Sequence, residues 1–239
     1  MPTLDYEINR KHTLDQHYFD EITDEARAYW LGFLWADGDI STTAKRCAGP
    51  NRLRFVQKWS DRERVYAFKE ALQASYDVNE IHDRATNSDQ ALLVINSRPI
   101  CDALIRHGYG RKDERISIPE IDAGLVHHFI RGYFDGDGCL SVYEQLVRHA
   151  TIHRQELSFT GNPMFIAALK DALVDNVGLT PTVKMHTDKR TVHAVALRYG
   201  KKDDIVKMYD YLYHDATTYL ERKYDKFLEY FSYHPINGS

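Results

Sequence analysis

Hydrophobic and polar positions change period several times along the chain. From about residue 24 to 36, Tyr29, Trp30, Phe33 and Ala36 recur at helical spacing, which predicts a helix. Over 52–59 the period drops to two. Leu53, Phe55 and Trp59 fall on one face and Arg52, Arg54 and Lys58 on the other, as in a half-buried antiparallel strand. Asp61 to Ser75 returns to an amphipathic helical pattern, and 79–97 reads as a strand pair broken near Asn87 and Ser88. Pro99 suits the first turn of a helix over 99–107. The second half follows the same course, with strands over 140–147 and 155–160 and a helix from Asn162-Pro163 to about 176. That helix opens on an N-cap residue followed by proline. A hairpin over 182–199 and a helix over 202–230 complete it. Each half thus reads as helix, two strands, helix, two strands, helix, an α+β pattern.

The halves also share a motif. Residues 28–39 read Ala-Tyr-Trp-Leu-Gly-Phe-Leu-Trp-Ala-Asp-Gly-Asp, and 128–139 read His-Phe-Ile-Arg-Gly-Tyr-Phe-Asp-Gly-Asp-Gly-Cys. Gly32 and Gly132, Asp37 and Asp137, and Gly38 and Gly138 correspond at an offset of 100 residues. Later landmarks keep the same order: Lys-Glu-Ala-Leu at 69–72 against Lys-Asp-Ala-Leu at 170–173, and Arg-Lys at 111–112 against 222–223. A doubled ancestor with pseudo-twofold symmetry accounts for this. The expected organisation is an N-terminal polar arm (1–22), a first repeat (23–112), a linker (113–121), a second repeat (122–230) and a tail (231–239).

Composition narrows the class. At 239 residues, 43% hydrophobic and 28% charged, the chain can bury a core of one large domain or two smaller ones. No apolar run approaches the ~18–20 residues of a membrane span, and Met1 to Thr13 lacks the apolar segment of a secretory signal. Cys47, Cys101 and Cys139 lie far apart with no Cys-x-x-Cys, which argues against a disulfide framework or zinc ribbon. An intracellular location, cytoplasmic or organellar, is expected.

The repeated motif carries the candidate chemistry. Gly32 with Ala36, and Gly132 with Gly136, place small residues on one helical face and allow two backbones to approach. Each acid follows immediately, where Gly38 or Gly138 ends the helix. If the two helices pack together, Asp37 and Asp137 meet at one end of the seam. Adjacent carboxylates favour a divalent cation, and hard oxygen donors favour Mg²⁺. Such an ion can activate water and stabilise in-line displacement at phosphorus. A calcium loop through Asp135-Gly136-Asp137 is excluded, because the fifth and sixth positions are Cys139 and Leu140.

With these residues in view, the sequence resembles the LAGLIDADG homing endonucleases of the single-chain, two-motif type. Leu31-Gly32-Phe33-Leu34-Trp35-Ala36-Asp37-Gly38 and Arg131-Gly132-Tyr133-Phe134-Asp135-Gly136-Asp137-Gly138 carry the resemblance, supported by 211–224. It spans about residues 18–230. The first copy departs at Trp35, where an Asp is common. The resemblance implies a saddle of two antiparallel sheets facing DNA, with the motif helices at the centre. It also implies a monomer that hydrolyses both strands of a long, asymmetric DNA target with Mg²⁺. Mn²⁺ is the expected substitute, and Ca²⁺ is expected to bind without supporting cleavage. Asp37 and Asp137 are the implied metal ligands, assisted by the carbonyls of Ala36 and Gly136. Lys112 and Lys223, which follow their acids by 75 and 86 residues, are the implied basic catalytic residues that help polarise the site.

A DNA reader of net charge −4 must segregate its charge. Lys45, Arg46, Arg52, Arg54 and Lys58 fall in an acid-free stretch, and Lys184, Lys189, Arg190 and Arg198 in another with one acid. Arg148 and Arg154 add to the second half. These are the candidate DNA contacts. An RNA maturase that helps an intron fold, and a non-cleaving DNA-binding regulator on the same fold, are the alternatives. Retention of both acids favours cleavage.

Overall fold

The computed structural model describes residues 11–42, 49–147, 150–183, 185–187 and 194–234. It forms two compact units: Met1–Glu21 with Gly38–Ala103, and Ile22–Asp37 with Leu104–Ser239.

The first unit is built on an antiparallel sheet of β1 (Gly38–Ser41), β2 (Arg52–Lys58), β3 (Val78–Asp83) and β4 (Ser88–Asn96), in the order β1-β2-β4-β3. The period-two reading of β2 holds, for Leu53, Phe55 and Gln57 are buried while Arg54 and Lys58 are exposed. The buried side meets α2 (Arg62–Ala71), where Phe68 lies 5.1 Å from Phe55 between ring centroids. Trp59 leaves the strand and begins a single 3-10 turn. α3 (Arg98–Arg106) starts in this unit.

Within the stretch read as an N-terminal arm, residues 13–19 pack against this unit. The Asp15 amide donates to the Leu72 carbonyl at 2.9 Å, the Ser75 amide donates to Thr13, and Phe19 is fully buried 6.4 Å from the Phe68 ring. Its aromatic residues supply apolar surface that outweighs the polar average of the stretch.

The second unit repeats the sheet: β5 (Gly138–Val147), β6 (Ala150–Gly161), β7 (Met185–Thr187) and β8 (Val195–Tyr199) run antiparallel in the order β5-β6-β8-β7. Two sheets of the same strand order, each entered from a motif helix, fit the doubled ancestor. α5 (Pro163–Val177) is capped as its sequence suggests, with Asn162 Oδ1 accepting from the Met164 amide at 2.8 Å. It ends at Gly178, whose φ of 68° is left-handed. The predicted helix over 202–230 is two helices, α6 (Lys202–Tyr213) and α7 (Glu221–Tyr233), the latter running past the predicted boundary. The break holds Thr217 and Thr218, whose amides bond to Glu25 at 2.7 and 3.0 Å.

The same unit holds α1 (Glu25–Asp37) and α4 (Val126–Asp137), packed against each other. Their approach is reciprocal. A methyl built on Gly32 would overlap the Phe129 carbonyl, 2.8 Å from its carbon, and one on Gly132 would overlap the Tyr29 carbonyl, 2.9 Å from its carbon. Only glycine permits this spacing. α1 is buried on every side from Ala28 to Ala36, which is why its periodicity looks weaker than that of α2.

Candidate active site

Asp37 and Asp137 are the last residues of α1 and α4, so the glycine-mediated seam delivers both to one end of the helix pair. A Cβ placed on Gly136 would lie 3.4 Å from Asp37 Oδ2 and overlap the Ala36 side chain. Both carboxylates are half-buried. Burial pushes the Asp137 carboxyl up to about 6. Lys112 opposes the rise, the Asp37 charge adds to it, and Lys223 and Arg115 oppose it. Lys112 and Asp137 line one cavity, and Lys223 bonds to the carbonyl of Gly138, the residue after Asp137.

The bases differ in setting. Lys223 is buried at the start of α7, and its Nζ donates to the Gly138 carbonyl next to Asp137. Burial lowers its pKa, and Arg222 adds to the effect. Lys112 is exposed, and it lines a cavity of about 30 Å³ with Trp35, Arg115, Tyr133, Asp137 and Phe165.

Arg115 falls in the segment read as a linker, yet it is buried. Its Nη1 donates to the carbonyls of Trp35 at 2.6 Å and Leu34 at 3.3 Å, and its Nε donates to Gly110 at 2.9 Å. The guanidinium lies 3.8 Å from the Tyr109 ring centroid, and Tyr109 Oη also donates to Leu34 O at 3.1 Å. Arg115 therefore satisfies carbonyls of the last turn of α1 while placing a fixed positive charge near Asp137. Sequence reasoning missed it because Asp113 and Glu114 precede it and make the stretch look like solvated linker.

Asp135 and Trp35 occupy equivalent motif positions with different tasks. Asp135 is buried, and its Oδ2 accepts from Tyr29 Oη at 2.8 Å and from the Leu220 amide at 2.6 Å. It thus anchors the residue preceding α7, and so the helix that carries Lys223. Trp35 is instead a packing residue, with ring centroids 5.8 Å from Tyr109 and 5.6 Å from Phe129.

The donors at the helix ends are the oxygens of two carboxylates, each preceded by the residue, Ala36 or Gly136, whose carbonyl the resemblance implies as a further ligand. Such a hard set fits Mg²⁺ or a similar cation. Among the basic residues proposed from sequence, Arg54 and Lys58 project from the exposed face of β2, joined by Arg52, whose Nε donates to Asn96 Oδ1 at 3.2 Å. In the second unit Arg154 and Arg198 are exposed on β6 and β8. Arg198 is not an unopposed charge, since it pairs with Glu156 at 3.4 Å. Lys45, Arg46, Arg148, Lys184, Lys189 and Arg190 lie outside the described residues.

These features define a class: a two-repeat α+β chain whose duplicated helices pair through glycine and set two acids side by side. Comparison with known structures gives this fold its name, that of the LAGLIDADG homing endonucleases. I-SmaMI bound to cleaved DNA matches with a TM-score of 0.59 at 12% identity, covering 89% of each chain. I-AabMI bound to uncleaved DNA matches with a TM-score of 0.61 at 12% identity, covering 88% of this chain and 90% of that one. I-CpaMI bound to uncleaved DNA matches with a TM-score of 0.56 at 13% identity, covering 87% and 90%. No protein-family model and no curated protein sequence matches the chain.

Proposed function

We propose that the protein is a site-specific endonuclease that hydrolyses both strands of double-stranded DNA with Mg²⁺. The observation that carries this reading is the juxtaposition of Asp37 and Asp137 at the end of a glycine-paired helix seam, ringed by Lys112, Arg115 and Lys223. DNA-bound I-SmaMI, including a complex with an uncleaved target in the presence of calcium ions, has the same fold, which supports both the substrate and the use of a divalent cation.

Asp37 and Asp137, with the carbonyls of Ala36 and Gly136, would hold the ion. Bound there, a divalent cation supplies Lewis-acid polarisation of a phosphate and a more acidic water. The chain's own groups do the rest. Asp137 must lose its proton before it can act as a ligand. Lys112, exposed at the rim, meets the incoming phosphate. Lys223 and Arg115 are held in place by backbone carbonyls and supply positive charge that needs no reorganisation during the reaction. The exposed faces of the two sheets carry different residues, Arg52, Arg54 and Lys58 on one and Arg154, Glu156 and Arg198 on the other, which favours an asymmetric target.

A cleavage screen of a randomised duplex library in Mg²⁺, with the ends sequenced, tests the reading. Cuts at one defined site that disappear in Asp37→Asn and Asp137→Asn are expected. No cuts, together with tight binding to a structured RNA, would overturn it in favour of the maturase.

A further inference from the structure

The turn that carries Lys112 is held from two sides. On one side, Arg115 donates to the Leu34 and Trp35 carbonyls in the last turn of α1. On the other, Asn162 Nδ2 donates at 2.8 Å to the carbonyl oxygen of Asp113, the residue next to Lys112. Between these anchors the chain folds tightly on itself. The Glu114 and Arg115 amides donate to the Arg111 carbonyl at 2.8 and 3.2 Å, and the Arg111 amide donates to Glu114 Oε2 at 2.8 Å. Lys112 is exposed, so the backbone of this turn, rather than packing of its own side chain, sets where its charge lies. Asn162, Lys112 and Asp137 line one cavity.

Asn162 performs two tasks with opposite hydrogen-bonding roles. It is the N-cap of α5, where its Oδ1 accepts from the Met164 amide at 2.8 Å. A backbone amide only donates and a carbonyl oxygen only accepts. Both partners therefore fix the same orientation of the carboxamide, Oδ1 toward Met164 and Nδ2 toward Asp113. Capping alone is served as well by Asp or Ser. An ionised Asp, however, has no hydrogen to donate to Asp113, and a Ser hydroxyl stops one bond short of the place of Nδ2. The carboxamide seats the start of α5 and grips the Lys112 turn at once.

We propose that Asn162 is a positioning residue for Lys112, clamping its turn beside Asp137 so that the ammonium group meets the scissile phosphate. This rests on the reading of the site as a nuclease centre. Lys223 needs no such clamp, since it is buried and its own Nζ donates to the Gly138 carbonyl. The two lysines are thus placed by different means, one through its side chain and the other through its loop. A misplacement of about 1 Å can cost on the order of 10²-fold in rate, and a flexible lysine stem recovers part of that, so a loss of about tenfold is expected without the clamp.

Two substitutions separate the clamp from the cap. Asn162→Asp and Asn162→Ser keep a capping oxygen and lose the donor to Asp113. Both are expected to unfold at the parent's urea midpoint, and Asn162→Ser to bind DNA with the parent's affinity, while each cuts about tenfold more slowly in single turnover with Mg²⁺. Amide hydrogen exchange at Glu114 and Arg115 is expected to quicken in both variants without DNA. Lys112→Met slows cutting by itself, and adding Asn162→Ser is expected to slow it by less than about twofold more, because the clamp acts through Lys112. The proposal is overturned if exchange of the turn or the rate of cutting is unchanged in both variants. It is equally overturned if Asn162→Ser slows the Lys112→Met chain as much as the parent, which would make Asn162 a general brace of the fold. A parent chain that cuts no DNA would sink the nuclease reading instead, and exchange at Glu114 and Arg115 would still decide whether Asn162 holds the turn.

Discussion

Asp137 shows how one side chain couples stability to chemistry. Its carboxyl is pushed up to about 6 by burial, with the Asp37 charge contributing. An acid with a raised folded-state pKa favours the folded chain when protonated and costs stability once ionised. That cost is absent below the unfolded value near 4, grows as pH rises, and is complete above about 6. In metal-free protein, Asp137→Asn is therefore expected to stabilise the fold by about 2–3 kcal/mol at pH 7, with the gain vanishing near pH 4. Chemical denaturation at the two pH values measures this, and an equal effect at both would refute it. The same proton competes with the divalent cation, so cutting by the parent chain is expected to fall as pH drops through 6. Asp37→Asn and Asp137→Asn should each abolish double-strand cutting while leaving DNA affinity nearly unchanged in a gel-shift assay. Lys223→Met and Arg115→Met are expected to slow cutting by on the order of 10²-fold, measured in single turnover. At this scale the sequence showed the acids and the lysines. It hid Arg115, because its value comes from the Leu34 and Trp35 carbonyls, about 80 positions earlier and joined to it only by folding.

Among the elements, the α1–α4 pair imposes the strictest demand. Glycine is a poor helix residue by about 1 kcal/mol relative to alanine, so Gly32→Ala and Gly132→Ala would stabilise an isolated helix. Here the added methyl meets a backbone carbonyl that cannot move without parting the helices. A net loss of about 2–3 kcal/mol is expected from overpacking, measurable as a lower midpoint in urea. The loss should extend to cutting, because parting the helices separates the acids. This element was readable from two copies of one spacing, as was β2 from its alternation. The division of 202–230 into α6 and α7 was not, since no proline or glycine marks it. The break is set by Glu25, which accepts from the amides of Thr217 and Thr218. Within the stretch read as a polar arm, Tyr18 and Phe19 are buried, although the residues around them average as polar.

For the molecule as a whole, net charge is a poor guide. The chain carries −4, while Arg52, Arg54 and Lys58 line one strand face without an intervening acid. DNA affinity is accordingly expected to fall steeply, by orders of magnitude between about 50 and 200 mM salt, if several phosphates are engaged. A flat titration would contradict phosphate-led binding. The compact units do not follow the repeats, for α1 belongs with the second half of the chain. Its apolar surface from Ala28 to Ala36 therefore finds its partner helix only after some 100 further residues have been made. At translation speeds of about 5–20 residues per second, the nascent chain would carry this greasy segment unsheltered for roughly 5–20 s. Chaperone supply during synthesis, more than the equilibrium stability of the finished protein, would then set how much of it a cell recovers.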